Sequence, residues 1–323
     1  MTGTPTFSVV IPTHNRASKL PRAVNSVLAQ SMSDFELVIV DDGSTDTTPK
    51  LLATLQSDRC RTFRRESGSG VSAARNRGAA EARGEFLVFL DDDDQLRPRA
   101  LELIRRQLQA SPAADFAWGG RHISEKSPED RLIAVRDDVW STGGKMVRGA
   151  EFLNYALEIA ASCAFTLRRR VFTAVGGFDE QFRVSEDREL FLQLAEAGYQ
   201  GCCVQDLVVD IDEHFDGSLS RSGNLAVGPQ SDLRIIDKHR DYLSRPENSE
   251  FLHRYLLKVF AGFLHAEDGP AARQIVTELR RRGGLDFRIL RMYLRHSVGF
   301  RTLKSFLHYD AVRRIANRLK GAR

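Results

Sequence analysis

Four consecutive aspartates, Asp91 to Asp94, follow an apolar segment that spans residues 86–90. Five apolar residues in a row are typical of a strand buried on both faces, and ligands of open α/β sheets bind beyond the carboxyl ends of such strands. Four adjacent carboxylates repel one another, and a hard cation that also holds a phosphate would relieve the repulsion. We therefore interpret the run as a magnesium or manganese site. A solvated acidic turn is the alternative that an isolated run would favour.

Three further acids and a histidine also occupy the ends of predicted elements. Asp42 closes a predicted strand and precedes a glycine, Glu186 and Asp187 begin a predicted helix, and His214 follows the last predicted strand. The dipole of a helix favours the ionised form of an acid at its N-terminus, which leaves the acid ready to accept a proton. A structural role is the alternative for each residue, since Asp-Gly is common in tight turns and acids are common in first helical turns.

The elements that position these residues alternate between strand and helix patterns, which is typical of βαβ units and a mostly parallel sheet. Apolar runs predict strands at residues 7–11, 35–40, 60–64, 86–90, 115–119, 133–135, 162–167 and 204–211. Helical spacing predicts helices at residues 19–28, 48–55, 71–82, 98–111 and 187–197. We predict Ser18 as the cap of the first helix and Thr48, ahead of Pro49, as the cap of the second.

The C-terminal part differs, because the spacing becomes helical throughout after Gly228 and Pro229. We predict an α/β fold class, with a Rossmann-like, mostly parallel sheet and flanking helices in residues 1–230 and a helical region in residues 231–323. From Ile236 onwards there are 19 Lys and Arg residues against 9 Asp and Glu residues, whereas the rest of the chain carries 28 against 34. A basic tail favours an acidic partner, either an anionic membrane surface or nucleic acid.

The composition excludes several classes of protein. The 323 residues are 42% hydrophobic and 28% charged, which is ordinary for a globular protein. No run approaches the roughly 18 apolar residues of a membrane span, and no basic and apolar leader precedes the first strand, so we expect a cytoplasmic chain. The four cysteines lack metal-binding or disulfide spacing and are predicted to be buried thiols.

Four motifs in order resemble the family 2 glycosyltransferases of GT-A fold: SVVIPTHNR (8–16), VIVDDGSTD (38–46), GVSAARNRG (70–78) and LDDDD (90–94). The resemblance continues through GGFDE (176–180) and SED (185–187), and it covers residues 7 to 222. It implies transfer of a sugar from a nucleotide-diphosphate donor to an acceptor hydroxyl, with inversion at the anomeric carbon. It also implies Mn²⁺ or Mg²⁺ as the cofactor, because a divalent cation stabilises the charge of the departing diphosphate.

The resemblance implies a role for each acid of the run. Asp93 is expected to be the direct metal ligand, and Asp91 to support the ribose or the metal shell, with Asp92 sharing this work. Asp94 is expected to be structural. A shift of these roles by one residue stays open.

For the donor, the resemblance implies that Asp42 accepts a hydrogen bond from the base and that His14 and Pro12 line the face of that base. A carboxylate suits the ring N–H of uracil, and UDP is favoured over GDP or dTDP by the habit of the family. Arg75 and Asn76 are expected to orient the acidic loop or to contact the donor phosphate, with a purely structural role as the alternative.

The remaining roles concern proton transfer and the closure of the site. Asp187 is implied to be the base that deprotonates the acceptor hydroxyl, with Glu186 positioning it. His214 is implied to be a metal ligand ahead of a serine-bearing loop that folds over the donor diphosphate, since neutral imidazole suits manganese. A surface-loop histidine is the alternative for His214.

The expected partners are a nucleotide-sugar donor and a glycan or lipid-linked acceptor in the assembly of cell-surface polysaccharide. Residues 287–323 interleave basic and apolar side chains, a pattern that suits peripheral contact with the inner face of the membrane without excluding other roles. Packing of this tail on the catalytic domain or on a second copy of the chain is the alternative. The acidic body argues against nucleic-acid binding, and a non-catalytic sugar-nucleotide-binding or scaffold protein is the alternative function.

Overall fold

The computed structural model describes residues 4–55, 57–127, 131–160, 163–214 and 226–282, without the side chains of Cys163 and His214. The chain divides into two units, Met1–Leu219 and Ser220–Arg323. The predicted boundary between residues 230 and 231 stays a prediction.

The strands in the described part of the first unit form one sheet. Its strands are β1 (Phe7–Thr13), β2 (Phe35–Asp42), β3 (Cys60–Arg65), β4 (Phe86–Leu90), β5 (Gln95–Leu96), β6 (Phe116–Lys126), β7 (Leu132–Asp138), β8 (Val147–Arg148), β9 (Cys163–Arg168) and β10 (Gln200–His214). They follow the order β3-β2-β1-β4-β9-β6-β10-β5, with β7 beside β6 and β8 beside β10.

Seven helices connect the strands in the described part of this unit: α1 (Leu20–Leu28), α2 (Thr48–Leu55), α3 (Val71–Glu81), α4 (Ala100–Ala110), α5 (Gly149–Ala156), α6 (Arg169–Ala174) and α7 (Glu186–Glu196). The predicted α/β class is therefore confirmed. The neighbours β3, β2, β1 and β4 are mutually parallel, and β6 is parallel to β10. The core lies in the middle of the sheet, where all residues of β1, β2 and β4 are buried.

Helix α3 packs unusually close to β1. A Cβ atom on Gly78 would lie 2.4 Å from Val10 Cγ1, so a larger residue would push the helix away from the sheet. Gly78 therefore allows α3, which carries Arg75 and Asn76, to lie close to β1.

The predicted cap of α1 is wrong, whereas α2 starts where expected but with a different cap. Lys19 occupies the N-cap position of α1 without a side-chain cap bond, because the N–H groups of Lys19 and Leu20 bond instead to the carbonyl of Arg16. At α2 the carboxylate of Asp46 accepts the N–H of Thr48 at 2.8 Å, and the Thr48 hydroxyl accepts the N–H of Arg16. Both starts are therefore shaped by contacts between the two loops, which propensity alone does not register.

All eight predicted strands are present; six are longer than predicted, whereas β4 matches its predicted range and β9 is shifted by one residue. β6 and β10 continue well beyond the apolar residues that predicted them, because their outer halves pair with each other as polar segments. The two-residue strands β5 and β8 and the short helices α5 and α6 were not predicted. Cys60, Cys202 and Cys203 are buried free thiols as expected, and burial raises the pKa of Cys60 and Cys202 to about 11.

The described part of the second unit is helical, as the sequence predicts. Its helices are α8 (Val227–Lys238), α9 (Arg240–Leu243), α10 (Ser249–His265) and α11 (Gly269–Arg281), with a short 3₁₀ turn at Pro246–Asn248. Buried Asp232 links this unit internally, because its carboxylate accepts the Tyr255 hydroxyl at 3.0 Å and Lys258 Nζ at 2.9 Å. Across the described residues, no helix has the length and apolar character needed to span a bilayer.

Candidate active site

The carboxyl ends of β1, β2, β4, β6 and β10 share one edge of the sheet. β1, β2 and β4 are parallel neighbours, and β6 and β10 run in the same direction because β9 is antiparallel to both β4 and β6. The acid run, Asp42 and the loop after β1 therefore meet at this edge. Such an edge is where open α/β sheets place their ligands.

The acid run, residues 91–94, alternates in exposure. The side chains of Asp91 and Asp93 are 34% and 28% exposed, whereas Asp92 and Asp94 are buried. The hydroxyl of Thr13 donates to Asp92 at 2.6 Å, yet burial raises the pKa of Asp92 to about 7. The two partly exposed acids are the ones that a ligand at this edge of the sheet can reach.

Asp94 is enclosed and forms part of a turn. Its N–H donates to the carbonyl of Asp91 at 3.2 Å. Burial raises the pKa of Asp94 well above its ordinary value, and the charges of the other three acids and of Asp212 add to the rise. Asp212 is itself held by Arg22 at 2.8 Å and by Lys126 at 3.0 Å. This enclosed position supports the structural role expected for Asp94.

Arg75 joins the acid run to the start of α7. Its buried guanidinium donates to Asp91 and to Glu186, each at 2.7 Å, and it lies over the ring of Phe178 at 5.3 Å. Burial opposes the charge of Arg75, but the two carboxylates offset this and its pKa is raised. Arg75 is therefore a fixed cation that holds one acid of the run and one acid of the helix at a set separation.

Helix α7 begins with the predicted acid pair. Ser185, in the left-handed conformation at φ 64°, precedes Glu186 and turns the chain into the helix. Burial raises the pKa of Glu186 against the opposing effect of Arg75. Asp187 is half-buried, and its carboxylate accepts the N–H of Arg188 at 2.8 Å. The helix start thus presents Asp187 while Glu186 is tied to Arg75.

The ends of β1 and β2 form one corner of the candidate site. The carboxylate of buried Asp42 accepts the N–H groups of Ser69 at 3.0 Å and Gly70 at 2.7 Å, and it pairs with Arg65 at 3.2 Å. Nδ1 of His14 lies 2.8 Å from the carbonyl oxygen of Asp42. Since a carbonyl only accepts, Nδ1 carries the proton, and Nε2 is then the acceptor for the Asn15 amide at 3.0 Å.

Pro12 and Asn15 complete this corner. Pro12 is buried in β1, in register with Val40. Asn15 adopts φ 54°, and its side-chain oxygen accepts the N–H groups of Thr45 and Asp46 at 2.7 and 3.2 Å. Asn15 was not predicted as part of the site, although an asparagine in the loop after a strand is a recognised candidate for a left-handed turn.

Asn76 lies on α3 beside Arg75, but its side chain makes hydrogen bonds to a different segment, residues 176–180. Its side chain accepts the N–H of Phe178 at 2.9 Å and donates to the carbonyl of the same residue at 2.8 Å. It also donates to Glu180 at 3.1 Å. This clamp fixes the segment 176–180 that packs under Arg75, which supports the structural alternative for Asn76.

Asp93 faces two cations that the sequence analysis missed. Arg16 Nη1 and Lys19 Nζ each lie 3.5 Å from Asp93 Oδ2. A signal was available, because Arg16, Lys19 and Arg22 recur at intervals of three residues. That spacing places basic side chains on one side of a helix that begins here.

The residues around the acid run fit a hard divalent cation in part. Asp91 and Asp93 offer exposed carboxylate oxygens, the ligand type that Mg²⁺ and Mn²⁺ prefer. In the part of the chain that the structure describes, no group of three or more His, Cys, Asp and Glu side chains converges as a metal site. A cation bound by one or two carboxylates would take its remaining ligands from water and from the phosphates of a substrate.

His214 ends β10, where its backbone pairs with Lys126. The side chain of His214 and the serine-bearing loop after it lie outside the described residues. The expected metal contact of His214 therefore stays a prediction.

Known proteins share both the sequence pattern and the fold. The chain is 27% identical over 223 residues to the succinoglycan biosynthesis protein ExoO of Rhizobium meliloti, which covers 67% of this chain and 63% of that protein. It is 37% identical over 115 residues to the GalNAc(5)-diNAcBac-PP-undecaprenol beta-1,3-glucosyltransferase of Campylobacter jejuni. The aligned residues cover 35% of this chain and 37% of that protein. The chain thus spans less than two thirds of the length of these relatives.

Among solved structures, that of S. aureus TarS 1-349 in complex with UDP-GlcNAc superposes with a TM-score of 0.62 at 18% identity, covering 88% of this chain and 82% of that one. This likeness shows that the two chains share the fold. Residues 8–176, more than half of the chain, match the family described as Glycosyl transferase family 2. The protein is therefore a member of glycosyl transferase family 2.

Proposed function

We propose that the protein is an inverting, metal-dependent glycosyltransferase that moves a sugar from a UDP-linked donor to an acceptor hydroxyl in the assembly of cell-surface polysaccharide. One observation carries the proposal: Arg75 ties the acid run to the start of α7, with 2.7 Å contacts to Asp91 and Glu186. A donor site and a proton acceptor are thereby held at the same sheet edge. The relatives in polysaccharide synthesis and the TarS complex with UDP-GlcNAc support the class of reaction and of donor.

In this mechanism the acceptor hydroxyl attacks the anomeric carbon from the face opposite the diphosphate. Asp187 takes the hydroxyl proton as the new C–O bond forms, and the bond to the diphosphate oxygen breaks with its electron pair. Glu186, held by Arg75, keeps the start of α7 in place. Asp93, supported by Asp91, would hold the divalent cation, which when bound stabilises the charge on the leaving diphosphate.

The proposed binding position of the donor base is the corner formed by Asp42, His14 and Pro12. Asp42 Oδ2 accepts the N–H groups of Ser69 and Gly70, and Oδ1 meets Arg65, so a ring N–H would bind by sharing or replacing one of these contacts. The acceptor is proposed to be a glycan or a lipid-linked glycan. Contact with the inner face of the membrane is proposed for residues 287–323, which lie outside the described residues.

The proposal is tested by transfer assays with a panel of UDP-sugars and Mn²⁺ or Mg²⁺. Asp187→Asn is expected to lower the transfer rate by roughly 10²- to 10⁴-fold with UDP affinity retained, because it removes the base and not the donor site. Asp93→Ala is expected to remove metal-dependent transfer. Glu151→Gln is the matched control, since Glu151 also lies in the first turn of a helix, α5, and should leave the rate unchanged.

Two results would contradict this function. Full metal-dependent activity in Asp93→Ala would show that the metal assignment is wrong. A parent chain that binds UDP-sugars but transfers none to any glycan acceptor would favour the non-catalytic binding protein of the same fold.

A further inference from the structure

Three basic side chains at the start of α1 face the carboxylates of the candidate active site. Arg16 and Lys19 each approach Asp93 Oδ2 to 3.5 Å, and Arg22 approaches Asp212 to 2.8 Å. The three residues recur at intervals of three, so one side of this segment is basic where it meets the acids.

The contacts of this basic row differ in tightness. The Arg22–Asp212 contact has the length of a well-formed charged hydrogen bond, and Lys126 joins Asp212 from the other side at 3.0 Å. The two contacts to Asp93 exceed the 2.7–3.2 Å of such a bond. Arg16 and Lys19 thus neutralise Asp93 by proximity and are not locked to it.

The cations at Asp93 are also within reach of solvent and hence of a ligand. The side chains of Arg16, Lys19 and Asp93 are 29%, 32% and 28% exposed. The backbone of Arg16 is anchored, because its N–H donates to Thr48 Oγ1 at 3.1 Å and its carbonyl accepts two N–H groups at the start of α1. Only the ends of the two side chains need to move to meet a new anion.

A bound diphosphate would change the charge balance at this point. If Asp93 binds a divalent cation, it no longer pairs with Arg16 and Lys19. The phosphates of the donor then bring new negative charge close to these two side chains. Arg and Lys are the usual protein partners of phosphate oxygens.

We propose that Arg16 and Lys19 bind the diphosphate of the donor and, before the donor arrives, occupy Asp93 in competition with the divalent cation. The inference rests on the proposed function, because that function supplies the diphosphate and the cation. It assigns to the β1–α1 loop an anion site that faces the acids of β4.

Removal of the two charges is expected to change the affinities for UDP and for Mn²⁺ in opposite directions. Loss of the two charges weakens the binding of UDP, which carries the diphosphate, and leaves the binding of uridine unchanged. The same loss strengthens the binding of Mn²⁺ in the absence of nucleotide, because Asp93 is no longer neutralised. Damage to the fold would weaken all three.

The experiment is isothermal titration of the full chain with UDP in the presence of Mn²⁺, with uridine, and with Mn²⁺ alone. The double variant Arg16→Gln/Lys19→Gln is compared with the parent and with Arg22→Gln, which removes a charge from the same row but from the contact with Asp212. In the double variant we expect the Kd for UDP to rise roughly 10- to 100-fold, at about 1.4 kcal/mol per tenfold. We expect its Kd for Mn²⁺ alone to fall and the Kd values of Arg22→Gln to match those of the parent.

The outcomes separate this inference from the function on which it rests. A double variant that binds UDP as the parent does, or that loses UDP and uridine equally, would overturn the inference alone. A Kd for Mn²⁺ alone that rises in the double variant would overturn the proposed competition. A parent chain that binds no UDP in any of these titrations would overturn the proposed function and the inference with it.

Discussion

Strands β2 and β4 lie on either side of β1 and both lead into carboxylates, but the two ends are neutralised to different degrees. At β2, Asp41 accepts the N–H of Ser44 at 2.8 Å and the guanidinium of Arg64 at 3.0 Å. Asp42 accepts two backbone N–H groups and meets Arg65. The fold itself supplies partners for both acids of β2.

The acids that follow β4 crowd one another instead. Burial raises the pKa of Asp92 to about 7, and burial together with four neighbouring carboxylates raises that of Asp94 well above its ordinary value. The acids at the end of β2 are therefore both paired with a cation and with N–H groups, whereas buried Asp92 and Asp94 after β4 lie beside carboxylates that raise their pKa values. A site with surplus carboxylate charge is the one suited to receive an external cation.

The largest expected effect is a gain in stability when one buried charge of β4 is removed. The pKa of Asp92 is about 4 in the unfolded chain and about 7 in the folded one, so the folded chain binds more protons between these values and loses stability as the pH rises through this window. Asp92→Asn should therefore raise the free energy of unfolding by up to about 4 kcal/mol at pH 8, with little change below pH 4.

Urea unfolding at pH 8 and pH 4 in the presence of a chelator measures this gain. Asp93→Asn is the control, since Asp93 is half-exposed and meets Arg16 and Lys19, so no comparable gain is expected. An Asp92→Asn variant that is no more stable than the parent at pH 8 would show that the end of β4 is as well neutralised as that of β2.

The next effect is a loss of stability at the end of β2. Asp41→Ala leaves the N–H of Ser44 and the guanidinium of Arg64 without their carboxylate, which is expected to cost about 3 kcal/mol. Asp93→Ala, at the end of β4, should cost less than about 1 kcal/mol, because it breaks partly exposed ion pairs. Equal losses in the two variants, measured by urea unfolding at pH 7, would remove the distinction between the two strand ends.

The smallest effect concerns the hydroxyl that partly relieves Asp92. Thr13→Val removes a 2.6 Å hydrogen bond to that carboxylate and should cost about 1 kcal/mol at pH 8 and less at pH 5, where Asp92 is protonated. Thr166→Val is the matched control, because the buried hydroxyl of Thr166 donates to the carbonyl of Ala164 and its loss should not depend on pH. A pH-independent loss in Thr13→Val would contradict the raised pKa of Asp92.

Much of the fold and part of the candidate site could be predicted from local pattern. The run 86–90 identified β4, and the acids directly after it identified a strand end suited to a ligand. Predictions failed where contacts between distant segments decide the outcome. Ser18 was expected to cap α1, but the carbonyl of Arg16 organises that start, and Arg16 is in turn held by Thr48 of the next helix.

The partners of the site residues were the part that could not be predicted. Arg75 meets Glu186 across 111 residues, and Thr13 meets Asp92 across 79. No periodicity in the sequence reports such pairs, because they depend on which strands are neighbours in the sheet. Asn76 shows the same limit, since its clamp on Phe178 becomes visible only when α3 lies against segment 176–180.

The sequence by itself determined that acids and a histidine follow the ends of strands and that an acid pair starts a helix, because apolar runs, helical spacing and turn residues are local signals. The tertiary structure alone decided how the acids after β4 divide: Asp92 and Asp94 are buried, Asp91 is held by Arg75, and Asp93 faces Arg16 and Lys19. The physical reason is that burial and Coulomb interactions depend on distance in space, which the order of strands in the sheet sets and spacing along the chain does not.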